Sequence, residues 1–136
     1  MSSDKLENLL RIGQIHQESA REVELVGLKG SGLARLSDAR KEDLAYSSRF
    51  DLAYNAAHAL SLYALRRAGY RSDKRYTVFQ TLPHTIGLST GHWRVLVRAH
   101  DTRNTAEYEG FLREDEQLLA DVIAATTELA RILFDT

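Results

Sequence analysis

Residues that bind or move charge are concentrated in Arg98-Ala-His-Asp-Thr-Arg-Asn-Thr-Ala-Glu-Tyr-Glu-Gly110. At helical spacing Arg103, Asn104 and Tyr108 fall within about one and a half turns, and His100 stands one turn before Arg103 on nearly the same face. A guanidinium offers a planar fork of donors for phosphate or carboxylate oxygens, and an imidazole is the side chain that exchanges protons near neutral pH. A second polar set, Asp51, Asn55 and His58, recurs at i, i+4 and i+7 along an otherwise apolar segment. It reaches Arg103 only if the fold lays that segment alongside. No Gly-x-Ser-x-Gly elbow accompanies the serines, so no hydrolase triad is indicated. His84, His92 and His100 are eight apart, and no His-x-x-x-His or Glu-x-x-His pair puts two ligands on one helix face. Neither a metal site nor a cofactor is expected.

The chain has one basic cluster: Arg66, Arg67, Arg71, Lys74 and Arg75, opposed only by Asp73. One reading is cations at a helix C-terminus, meeting the negative end of the macrodipole. The other is a phosphate-contacting patch, in which Arg71, Lys74 and Arg75 join Arg103, Asn104, Asp51 and Asn55 as binding residues. The glycine-rich run Gly27-Leu-Lys-Gly-Ser-Gly32 lacks the P-loop order of glycines, Lys and Ser/Thr, and no strand leads into it. Close helix packing is the expectation there.

The elements that must position these groups are helical. Arg49 to Arg66 is the longest apolar run free of helix breakers. Phe50, Ala53, Tyr54, Ala57, Leu60, Ala64 and Leu65 recur at helical spacing, while Leu52, Ala56, Ala59 and Tyr63 widen the arc. A helix over 48–69, started by Ser47 or Ser48 and stopped by Gly69, therefore needs neighbours on several sides. A short helix capped by Asp4 precedes it, followed by a 19–40 segment that is either one imperfect helix or broken near Gly30. After the central helix, Tyr76 to Gly87 carries Pro83, which predicts a kink or restart near Thr81. Ser89 or Thr90 caps a fourth long segment through Trp93 and Leu96. The polar stretch then lies between it and a last helix over 113–134, whose first turn holds Glu114, Asp115 and Glu116. No strand-length alternation occurs. The expected fold is all-α, an up-down antiparallel bundle of about five helices in one domain spanning 1–136.

Composition is consistent with this. The chain has 136 residues, enough for a sizeable core, and 18 Lys plus Arg against 19 Asp plus Glu. Net charge near −1 gives no global pull toward nucleic acid or an anionic membrane, so any such surface must be local. Cysteine is absent, which removes disulfides, thiolate metal sites and a thiol nucleophile. With no signal-like N-terminus and no long apolar run, a cytoplasmic protein without a membrane association is expected.

Arg103-Asn-Thr-Ala-Glu-Tyr108 resembles the Arg-x-x-Ala-Asp/Glu-Tyr signature of HEPN domains (higher eukaryote and prokaryote nucleotide-binding). Ala53-Tyr-Asn-Ala-Ala-His58 and the run from Leu60 to Gly69-Tyr-Arg71 are similar to that family's central helix, and an aromatic-ended last helix follows. The resemblance covers most of 45–134. It implies a small helical bundle that forms a homodimer, and in many members a metal-independent endoribonuclease of toxin–antitoxin or defence systems, paired with a partner such as a nucleotidyltransferase-type antitoxin. The family's catalytic motif is Arg, four to six residues, then His. Arg103 and Asn104 match it, but Tyr108 stands where the His belongs, and no histidine follows Arg103. A phenol with a pKa near 10 cannot replace an imidazole as base and acid at pH 7. The expectation is binding of RNA, a nucleotide or a partner protein around Arg103 without catalysis. The alternative is cleavage using Arg103, with Tyr108 at the motif's second position and His100 as substitute base.

Overall fold

The apolar run at the middle of the chain folds as a 22-residue helix, α3 (Tyr46–Arg67), with Phe50, Ala53, Tyr54, Ala57, Leu60, Ala64 and Leu65 all buried. The computed structural model describes residues 2–135. Around α3 stand α1 (Ser2–Arg11), α2 (Glu22–Ala39), α4 (Arg75–Gln80), α5 (Leu82–Thr85), α6 (Thr90–Glu109) and α7 (Glu116–Phe134). A two-residue antiparallel pair, β1 (His16–Gln17) with β2 (Tyr70–Arg71), closes one end, His16 opposite Arg71. The protein is an all-α, up-down bundle in which five longer helices carry the fold, among the described residues.

Cross-helix contacts fix the directions. Glu24 meets Arg66 and Gly32 meets Leu60, so α2 runs antiparallel to α3. Tyr54 meets His100 and Asp51 meets Arg103, so α6 is antiparallel to α3 as well. Tyr46 donates to the Asp115 carbonyl and Tyr63 packs edge-on against Phe134, so α7 runs parallel to α3. The main core is built from α3, Leu36 and Ala39 of α2, Leu96 and Ala99 of α6, and Leu118, Leu119, Val122, Ala125 and Leu129 of α7. A smaller cluster of Leu6, Leu9, Ile15, Leu65 and Val78 seats α1.

Several local expectations need correction. Of the two readings left open for 19–40, the single helix holds, over Glu22–Ala39 and despite three glycines, because packing along α3 outweighs their intrinsic cost. A Cβ on Gly32 would meet Leu60 Cδ2 at 2.5 Å, so this glycine lets two helices approach, whereas Gly27 and Gly30 have nothing within 4 Å. The polar stretch 98–110 is no connector: it completes α6 and ends at Gly110 in the left-handed cap conformation, φ 87°. The last helix starts at Glu116 with Asp115 as its cap, accepting from the Leu118 N–H at 3.0 Å; Glu114 therefore precedes it. The start of α3 has Ala45 at the cap position and no side-chain cap from Ser47 or Ser48. The first helix begins at Ser2, which puts Asp4 in its first turn. Gly69, φ 96°, ends α3 as expected, and the chain restarts after Thr81 ahead of Pro83.

Candidate functional site

Antiparallel packing of α6 on α3, with α4 crossing beside them, brings the two polar sets of the sequence onto one surface. Tyr54, 1% exposed, is its floor. The Arg103 guanidinium lies over the Tyr54 ring at 5.1 Å and the Arg75 guanidinium lies over the same ring at 5.5 Å. Cations are drawn to the negative face of a phenol ring, which holds both arginines at the protein surface above it.

The two arginines differ in how they are compensated. Arg103 Nε lies 3.6 Å from Asp51 Oδ1, and its Nη1 donates to Glu107 Oε1 at 3.1 Å. Both carboxylates are largely solvent-exposed, and such pairs are weak and exchangeable. Arg75 Nη1 donates to the neutral Asn55 Oδ1 at 3.1 Å, and among the described residues no carboxylate comes within 4.0 Å of it. Arg75 is thus a positive charge without an anionic partner in a half-buried setting.

His100 stands between the helices. With Asn104 Nδ2 donating to its Nε2 at 3.1 Å, the ring proton sits on Nδ1 and donates to Tyr54 Oη at 3.0 Å. Burial, above all, with Arg75 and Arg103 nearby, lowers the His100 pKa below its ordinary value, although Asp101 opposes the shift. The imidazole is neutral at pH 7 and both of its nitrogens are engaged. His58, edge-on to Phe79 at 6.0 Å, is held down to about 4 by burial, with smaller contributions from Arg75 and His100.

On the far side of Arg103 a groove of about 530 Å³ runs between the start of α3 and the end of α6. Ser47, Ser48, Phe50, Asp51, Arg103 and Phe111 are among its walls. Tyr108 lies on the outer face of α6, 95% exposed, and makes none of these contacts.

The basic cluster 66–75 disperses. Arg66, 3% exposed, is a structural brace: it binds Glu24 through two nitrogens at 2.8 and 3.0 Å and donates to the carbonyls of Glu18 and Tyr70. Arg71 is taken up by Glu18 and Asp73, and Lys74 approaches Gln14 at 3.5 Å. Of the cluster, Arg75 alone joins Arg103. Sequence reasoning missed Tyr54 as the shared floor and Tyr76, 43% exposed, whose ring centroid is 6.0 Å from that of His100. Neither had a local signal, since a tyrosine on an apolar helix reads as core and Tyr76 follows a charged turn.

The fold and site together define an all-α bundle with two arginines over an aromatic floor beside a groove. No protein-family model, curated protein or solved structure matches the chain.

Proposed function

We propose that this chain is a HEPN-like helical domain that acts as a homodimer and binds the phosphates of RNA or a nucleotide around Arg103, without cleaving them. The observation that carries this is the convergence of Arg75 and Arg103 over one tyrosine ring, with Arg75 lacking an anionic partner. A phosphate there gains charge-assisted hydrogen bonds from Arg75 and displaces the exposed carboxylates from Arg103, whose pairs are worth little in water.

His100 argues against cleavage. A general base needs a free nitrogen lone pair within reach of the hydroxyl it deprotonates, and here one nitrogen faces Tyr54 and the other Asn104. Its neutral form suits a strut that orients those two side chains. Exposed Phe111 in the groove wall, and Tyr108 on the outer face of the same helix end, support a surface that a second copy covers. The dimer then scatters light as about twice 15.4 kDa.

The test is anisotropy of a labelled single-stranded RNA with wild type, Arg103→Ala and Arg75→Ala. Each substitution weakens binding by about 1–3 kcal/mol, the scale of a charge-assisted hydrogen bond, with the melting temperature nearly unchanged. Wild type leaves the RNA uncut. Cleavage that disappears in His100→Ala would establish the nuclease alternative instead. A substitution that lowers the melting temperature without touching RNA binding would reduce the arginines to a helix clasp.

A further inference from the structure

A solvent-exposed tyrosine alone is ordinary on a protein surface. Tyr76 is set apart by its neighbours. It follows directly on Arg75, whose guanidinium lies over the Tyr54 ring at 5.5 Å and donates to Asn55 Oδ1 rather than to a carboxylate. Its ring is buttressed by His100, at 6.0 Å between centroids and 48° between planes, and His100 is itself fixed by Tyr54 and Asn104. The phenol is therefore held against a rigid neighbour while 43% of the residue remains open to solvent.

An exposed aromatic ring braced by His100, whose other neighbour Tyr54 carries both arginines, has the makings of a single-strand nucleic-acid platform: a π-face for a base and cations for the flanking phosphates. From this geometry we infer that Tyr76 stacks an unpaired base of single-stranded RNA whose adjacent phosphates are held by Arg75 and Arg103. This rests on the phosphate-binding function proposed above and extends it, since it names Tyr76 as a binding residue and an unpaired strand as the ligand. A paired base offers no open face to the ring. Stacking of this kind reads no base edges, so the site tolerates any sequence.

Two 5′-labelled probes test it by fluorescence anisotropy: a ten-residue uridine oligoribonucleotide and an abasic ribose-phosphate strand of equal length. Wild type binds the uridine strand more tightly. Tyr76→Ala weakens that strand about five- to a hundredfold and leaves the abasic one unchanged, whereas Tyr76→Trp retains the uridine affinity. Arg103→Ala weakens both probes. If Tyr76→Ala affects neither probe, or both equally, while Arg103→Ala still weakens both, stacking is refuted and phosphate binding survives. If wild type binds neither probe, both the inference and the function beneath it fall.

Discussion

At the scale of single residues, the site joins groups far apart in sequence: Asp51 and Tyr54 from α3, Arg75 and Tyr76 from α4, His100 and Arg103 from α6. Their types were legible beforehand and their pairing was not. Arg75 reads as one of five similar cations, and what distinguishes it, its place with Arg103 over the Tyr54 ring, is a contact that spacing along the chain does not show. Arg66 looked the same and is instead buried against Glu24, forty-two residues away. His58 gives a pH prediction. The folded pKa of His58 is about 4 against an ordinary 6.5, so the unfolded chain binds more protons between those values and stability rises with pH. The contribution is present above about pH 6.5 and is lost as pH falls toward 4, up to roughly 3 kcal/mol at 1.36 kcal/mol per unit of pKa difference. Urea midpoints at pH 7.5 and 4.5 should differ in wild type, and His58→Phe should remove most of the difference attributable to this group. An unchanged difference would show that His58 is hydrated in the folded protein.

Helix elements were the most readable part of the sequence, because the apolar period over residues 50–65 is long and unbroken. Glycine made α2 ambiguous, since the residue type cannot say whether it breaks a helix or admits a neighbour. Gly32 does the latter and Gly30 faces open space, so the same substitution should have opposite signs at two positions of one helix. Gly32→Ala drives a methyl into Leu60, which is 0% exposed and has little room to move, and should destabilise by about 1–3 kcal/mol. Gly30→Ala gains helix propensity and should stabilise by about 0.5–1 kcal/mol. Equal effects in urea unfolding would mean that α2 does not pack on α3 through Gly32. The β1–β2 pair escaped sequence reading for a different reason: two residues per strand carry no alternation, and Arg66 ties them together by binding the carbonyl of Glu18, just after β1, and that of Tyr70 in β2.

For the whole molecule, topology gathers two arginines of a nearly neutral sequence over one tyrosine ring. A net charge near −1 exerts no long-range pull on a polyanion, so the proposed binding rests on the two arginines gathered by α4 and α6 on α3. The all-α class and antiparallel order followed from apolar periodicity and short connections. The position of 98–110 within α6, rather than between helices, did not follow, because its charged residues lie on a face that the rest of the bundle leaves exposed. That face is what the proposed function requires. The most direct measurement is the salt dependence of single-stranded RNA binding by the wild type, Arg75→Ala and Arg103→Ala, followed with an intact-strand readout. If both guanidiniums meet phosphates, each substitution reduces the steepness of log affinity against log salt by about 0.7, and the RNA stays whole throughout. A slope the substitutions do not alter, or a strand that the wild type cuts, would contradict a phosphate-binding, non-cleaving site.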